Sequence, residues 1–134
     1  MLNKIKIYHD GPTEEQIKNL ISENIVGFTF NPSIFKKLKI TKYLDACKKY
    51  AKLAGSKPVS LEVIADEDEE IYKQAQTISK ISDNVFVKIP VMLTNGNPTY
   101  DVIKKLNENN IKLNITAILT TNQIENLLPI VQDT

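Results

Sequence analysis

The segment Asn84–Pro90 reads NVFVKIP and is the clearest strand signal in the sequence. Its valines, phenylalanine and isoleucine are typical of a buried strand, and a proline ends it. Lys88 interrupts this apolar run near its carboxyl end, where the strand pattern predicts burial. A buried ammonium must be paired, or its pKa falls and the amine becomes a nucleophile for carbonyl groups. From the pattern alone, a lysine that snorkels or pairs with Glu62 is the simpler interpretation.

Strand-like runs alternate with helical patterns along the whole chain. The predicted strands are Lys4–Asp10, Val26–Asn31, Val59–Ala65, Val85–Val91 and Ile111–Leu119. The predicted helices are Thr13–Glu23, Thr41–Ala54, Asp66–Ser82, about Thr99–Asn109, and Thr121–Gln132. Five strand–helix units in series predict an α/β fold with a parallel sheet and right-handed crossovers.

Two architectures accommodate five such units. A five-stranded doubly wound sheet would be complete at 134 residues. A (β/α)8 TIM barrel needs about 200 residues or more, so this chain could hold only the first five βα units and would not close the barrel alone. The length favours the doubly wound sheet, whereas the residues at the strand ends favour the barrel.

The composition is that of an ordinary globular protein, with 42% hydrophobic and 25% charged residues. The 17 basic residues, all lysines, nearly balance 16 acidic ones, so no strong field attracts nucleic acid or an anionic membrane. Cys47 is the only cysteine, which excludes an internal disulfide and favours a core residue over a reactive thiol. No run suits a signal peptide or a transmembrane span, so we expect a cytoplasmic protein.

Polar residues near the carboxyl ends of the strands are the candidate site. Successive ones are 21 to 31 residues apart, about one βα unit each: Asp10, Asn31, Glu62, Lys88 and Asn114. Ligands of parallel α/β folds bind at this edge of the sheet, called the mouth below. Alternation places further side chains on the same face, namely Tyr8, Thr29, Phe86 and Thr116. The opposite face is apolar and is expected to pack against helices through Ile5, Ile7, Val85, Val87 and Ile89.

These strand segments resemble the transaldolase family in order and spacing. They are KIYHD with Asp10, TFNPSI with Thr29 and Asn31, SLEVIAD with Glu62, NVFVKIP with Lys88, and KLNITAIL with Asn114 and Thr116. The segment IPVMLTNGNPTYDVIKKL is similar to the loop and helix after the lysine strand in short bacterial members, the branch that includes fructose-6-phosphate aldolases. The resemblance covers essentially all of the chain and favours the barrel.

The resemblance implies a Schiff-base transferase of carbohydrate metabolism, in the pentose phosphate pathway, that moves a dihydroxyacetone unit from a ketose phosphate to an aldose phosphate. It implies sugar-phosphate partners and no cofactor or metal. The implied catalytic residues are Lys88 for the Schiff base, Asp10 as the base in carbon–carbon cleavage, and Glu62 with Thr116 around a catalytic water. The implied substrate-binding residues are Asn31 and Asn114, with Thr29 behind them.

The sequence around several of these residues also allows other roles. Asp10 precedes Gly11-Pro12, where the family usually has Thr-Ala, and could cap a turn. Asn31 precedes a proline and could be an ordinary turn residue. The aldolase branch, which splits fructose 6-phosphate without a sugar acceptor, resembles this chain but with Gln at the position of Glu62. Glu62 therefore favours a transaldolase, and a lyase is the alternative.

The chain ends at Thr134, before the family's sixth strand. We expect one transaldolase-like domain over residues 1–134 that lacks the last three βα units, among them a serine and a phosphate-binding arginine. Such a segment would be weak or inactive alone and would form homo-oligomers through edge pairing or swapping. A non-catalytic remnant that binds a partner is the other alternative. A phospho-receiver domain does not fit, because its lysine follows the fifth strand and Lys88 lies on the fourth.

Overall fold

Five parallel strands pair in the order in which they occur in the sequence. The structure is a computed structural model that describes residues 5–20 and 24–131. Its strands are β1 (Ile7–Asp10), β2 (Ile25–Phe30), β3 (Val59–Glu62), β4 (Val85–Pro90) and β5 (Leu113–Thr116). The sheet order is β1-β2-β3-β4-β5, and the sheet curls into a half-barrel. A doubly wound sheet reverses its strand order at one point, so the fold is the first five βα units of a TIM barrel.

Helices connect successive strands. Those in the described ranges are α1 (Glu14–Leu20), α2 (Pro32–Lys37), α3 (Tyr43–Leu53), α4 (Asp68–Ser79), α5 (Tyr100–Glu108) and α6 (Thr121–Leu127). Five of them confirm predicted helices, and α2 occupies a segment for which only a connection was predicted. It is six residues long, too short for a helical period to be recognised. Within the same ranges no helix has the length and apolar character that a membrane crossing requires.

Strands β3 and β5 end earlier than predicted, and the loop backbone groups that follow them bond to side chains. After β3, the N–H groups of Ile64 and Ala65 donate to Oε1 of Gln74 at 2.8 and 3.1 Å, so the strand ends at Glu62. After β5, the N–H of Leu119 donates to Oε1 of Gln123 at 2.7 Å. The residues after β3 and β5 are still largely apolar, but they are no longer part of the β-sheet. The predicted ends at Lys4, Glu23 and Gln132 lie outside the described residues.

The core lies between the sheet and its helices. Val85, Val87 and Ile89 are at most 3% exposed, as alternation predicted. The same prediction was wrong for Ile5 and Ile7, which are 86% and 48% exposed because β1 is an edge strand.

Helix α3 contributes a second part of this core. Cys47 is fully buried, and burial raises the pKa of its thiol to about 12, which confirms a packing role. Leu44 of this helix is apolar but 44% exposed. The buried stripe instead runs through Ala46, Cys47, Tyr50 and Ala51.

The other face of the sheet is the inner, concave face of the half-barrel. On it, the Tyr8 ring lies against Gly27, where a Cβ would come within 2.6 Å of the ring and 2.7 Å of the Pro58 carbonyl oxygen. Glycine alone fits this close approach. The concave face is thereby kept open for the side chains that point toward the mouth.

Candidate active site

Lys88 and Glu62 form an ion pair on the concave face. They are direct partners in the β3–β4 register, and Lys88 Nζ lies 3.4 Å from Glu62 Oε2. Their side chains are 13% and 16% exposed. Val87 and Ile89 point into the core on the other face, so alternation turns the lysine inward. The amine is therefore sheltered and paired with Glu62, as the simpler sequence interpretation predicted.

The environment of Glu62 favours its protonated form. Burial raises the pKa of Glu62, which the nearby Lys88 ammonium partly offsets. The charge of Asp10 raises this pKa further, although β2 separates the strands that carry the two carboxyl groups. Two acids and one amine from three strands thus share one electrostatic environment at the mouth. A carboxyl group with a raised pKa suits proton transfer near neutral pH.

Asp10 is held by Thr29 across the β1–β2 pair. The two residues are partners in register, and Thr29 Oγ1 donates to Asp10 Oδ1 at 2.5 Å. The alternative was that Asp10 caps a turn, but its Oδ1 accepts from Thr29 on the neighbouring strand. The side-chain contact at the start of α1 is made by Thr13, whose Oγ1 accepts from the N–H of Gln16 at 3.2 Å. Asp10 is exposed at the mouth.

The turn after Asp10 depends on glycine. Gly11 has a φ of 63°, in the left-handed region, and its N–H donates to the Thr29 carbonyl at 2.9 Å. A Cβ there would also lie 2.8 Å from the Ile34 side chain. Gly11 therefore ends β1 in a defined geometry and fixes the direction in which Asp10 leaves the strand.

Asn114 lies on the other side of Lys88. The two are partners in the β4–β5 register, and Asn114 Nδ2 donates to Ser60 Oγ at 2.9 Å. Ser60 is 6% exposed and was not among the predicted site residues, although alternation from Glu62 places it on the same face. Ser60 and Asn114, together with Tyr8 and Phe86, line a cavity of about 320 Å³.

Thr116 and Asn31 lie at the margins of this group. Thr116 is the last residue of β5, opposite Pro90, and Ala117 after it adopts a left-handed φ of 59°. Asn31 follows β2 and caps α2, because its Oδ1 accepts from the N–H of Ile34 at 2.9 Å. The structure thus brings Asp10, Thr29, Glu62, Lys88 and Asn114 to one face, with Thr116 at its rim and Asn31 engaged in a helix cap.

In residues 5–20 and 24–131, no three His, Cys, Asp or Glu side chains are grouped closely enough to hold a metal ion. What the arrangement offers is an amine, two carboxyl groups and an amide within one open concavity. These groups suit carbonyl chemistry on a hydroxylated substrate.

Known proteins are similar to this chain in sequence. The family model described as Transaldolase/Fructose-6-phosphate aldolase matches residues 7–130. A probable transaldolase of Dehalococcoides mccartyi is 31% identical over 120 residues, which cover 89% of this chain and 54% of that protein. A probable transaldolase of Bartonella henselae is 33% identical over 123 residues, and one of Methanococcus maripaludis is 35% identical over 120 residues; each alignment covers 89% of this chain and 53% of the relative.

The chain therefore spans about half the length of the curated relatives it matches. The family match extends through all five βα units and includes every residue of the site described above. By sequence and by fold, this chain belongs to the transaldolase/fructose-6-phosphate aldolase family.

Proposed function

We propose that this chain carries the Schiff-base part of a transaldolase site, with Lys88 as the nucleophile. The observation that supports it is the sheltered Lys88–Glu62 pair, with 3.4 Å between Nζ and Oε2. A carboxyl group at that distance can take the proton that the amine must lose before it attacks. The reaction we propose transfers dihydroxyacetone from a ketose phosphate to an aldose phosphate, in the cytoplasm and in the pentose phosphate pathway.

The first proposed step joins Lys88 to the donor ketone. The neutral amine attacks the carbonyl carbon, and the resulting carbinolamine loses water to give a protonated imine. Glu62 and Thr116 hold the water that carries protons to and from this centre. The raised pKa of Glu62 suits this step, because the same group must both accept and return a proton.

The second step breaks the carbon–carbon bond. Asp10 removes the proton from the hydroxyl on the carbon beyond that bond, and this carbon becomes the aldehyde of the leaving aldose phosphate. The electron pair of the broken bond moves to the imine and leaves an enamine on Lys88. Addition of the enamine to an acceptor aldehyde, followed by hydrolysis of the imine, releases the new ketose phosphate and restores the amine.

The amides bind the substrate in this scheme. Asn114 binds a hydroxyl of the lysine-bound three-carbon unit, next to its register partner Lys88. Asn31 contributes only through its Nδ2, because its Oδ1 is committed to the cap of α2. Thr29 keeps Asp10 in place through its hydroxyl and does not contact the substrate.

The extent of the domain belongs to the same proposal. Residues 1–134 act as one domain of five βα units, and the site works at full rate only in a barrel that three further units close. This segment alone is weak or inactive. Support comes from the edge strands β1 and β5, which lie at opposite ends of the sheet, and from Tyr8, which is 49% exposed on the concave face. Pairing of these edges between copies would give a homo-oligomer.

A single-turnover transfer assay tests the proposal. The protein, in stoichiometric amount, is mixed with fructose 6-phosphate carrying ¹³C in its first three carbons and with a four-carbon aldose phosphate. We expect label in a seven-carbon ketose phosphate, and none with Lys88→Met. Free labelled dihydroxyacetone without transfer would identify the lyase alternative, and absence of both products would favour a non-catalytic segment.

A further inference from the structure

A hydrogen bond crosses the concave face beneath the proposed nucleophile. Asn114 on β5 donates through Nδ2 to Ser60 Oγ on β3 at 2.9 Å, and β4 lies between these two strands. Adjacent strands are about 4.8 Å apart, so two short side chains meet across a third strand only where the sheet curves toward them. Ser60 is the register partner of Phe86 and Asn114 that of Lys88. The hydrogen bond therefore crosses over β4 at a height between the positions of Phe86 and Lys88 along that strand.

This bond engages the donor end of the Asn114 amide. A carboxamide has a donor end and an acceptor end, and rotation about its last torsion exchanges them. With Nδ2 bound to Ser60, the Oδ1 of Asn114 is the end that remains for another donor. Ser60 is 6% exposed and Asn114 is half-buried, so the contact is partly sheltered from water and favours this orientation of the amide.

We propose that Ser60 is a positioning residue that fixes the Asn114 amide with its oxygen toward the lysine-bound substrate. The inference rests on the proposed function, in which Asn114 binds a substrate hydroxyl. It also specifies the substrate class: the three-carbon unit must present a hydroxyl that donates to Asn114 Oδ1. A hydroxyketone such as dihydroxyacetone benefits from this contact, and a ketone without hydroxyls, such as acetone, does not.

The test compares borohydride trapping of dihydroxyacetone and of acetone on Lys88. In Ser60→Ala we expect the dihydroxyacetone adduct to form about fivefold more slowly, the factor that one neutral hydrogen bond contributes, with acetone unchanged. Ser60→Thr retains the hydroxyl, and the added methyl group fits the cavity of about 320 Å³ beside residue 60. This variant should therefore form the dihydroxyacetone adduct at the parent rate. In an Asn114→Ala background, Ser60→Ala should have no further effect. Equal rates in Ser60→Ala and the parent protein, or an equal loss for both ketones, would overturn the inference.

A second measurement does not depend on catalysis. The side-chain amide resonances of Asn114, assigned by their loss in Asn114→Ala, should shift and exchange faster with solvent in Ser60→Ala, but not in Ser60→Thr. Unchanged resonances in Ser60→Ala would overturn the positioning role even without any adduct. Absence of a Lys88 adduct in the parent protein would contradict the proposed function instead, so the two failures are distinguishable.

Discussion

Glu62 and Lys88 face each other across the β3–β4 pair, with Oε2 and Nζ 3.4 Å apart and little of either side chain exposed. Such a pair contributes little net stability, because removing two charges from water offsets most of their attraction. Apolar side chains at the two positions would pack with no desolvation of charge. The pair is therefore better explained by chemistry at the mouth of the half-barrel than by stability of the sheet.

The environment of Glu62 makes stability depend on pH. Because burial raises its pKa, the folded state holds this proton more tightly than the unfolded chain. The contribution of Glu62 is thus fully present below the ordinary glutamate pKa of about 4.3 and is lost as the pH rises through the higher folded value. We expect the unfolding free energy of the parent protein, relative to Glu62→Gln, to fall from pH 4 upward in urea titrations.

Glu69→Gln is the matched control for that titration. The hydrogen bond that Glu69 accepts from Lys73 lowers the pKa of Glu69. The pH dependence of stability therefore has the opposite sign, and the parent protein should gain stability relative to Glu69→Gln as the pH rises. The effect should be small, since both side chains are exposed and screened by solvent. If the difference in unfolding free energy between the parent protein and Glu62→Gln is constant or rises with pH, the argument that burial raises the pKa of Glu62 is contradicted.

Substitution of Asn31 separates capping from substrate binding. Its Oδ1 accepts from the N–H of Ile34, so Asn31→Ala should lower the unfolding free energy by about 1 kcal/mol, as other N-cap losses do. Asn31→Ser retains a cap and should be near the parent in stability. If the Nδ2 also binds substrate, Asn31→Ser should still lose turnover while remaining stable. Equal stability of the alanine and parent proteins in chemical denaturation would exclude the cap as a stabilising contact.

Thr29→Val tests the support of Asp10 at nearly constant volume. The substitution removes the hydroxyl that donates to Asp10 Oδ1. Loss of a hydrogen bond to a charged group slows a reaction that depends on it by about tenfold or more. We expect carbon–carbon cleavage of fructose 6-phosphate to slow by that factor in single-turnover experiments. Trapping of dihydroxyacetone, which needs no cleavage, should be unchanged. Thr29→Ser should behave as the parent, and slowing of both reactions by Thr29→Val would point to a general structural defect.

The sheet and the centre of the site could be predicted because strands have a period of two. The same alternation that buries Val87 and Ile89 turns Lys88 inward, and register then sets Glu62 and Asn114 on either side of it. Ser60 obeys this rule as well. It was missed because a serine between Val59 and Leu61 carries no charge that would mark it.

Features set by local hydrogen bonds or by position in the sheet were harder to predict. Asn31 has the right alternation for the mouth, but the strand ends one residue earlier and its side chain caps a helix. Ile7 has the pattern of a core residue, yet β1 lies at the edge and leaves it half exposed. Neither outcome follows from periodicity, because both depend on which neighbours the chain acquires on folding.

Borohydride trapping with fructose 6-phosphate or dihydroxyacetone, read by peptide mass spectrometry, tests the role of Lys88 most directly. With 17 lysines in the chain, the position of the adduct is decisive. We expect a reduced three-carbon adduct on Lys88 and its loss in Lys88→Met. An adduct spread over exposed lysines such as Lys49 and Lys73, with none on Lys88, would contradict this expectation.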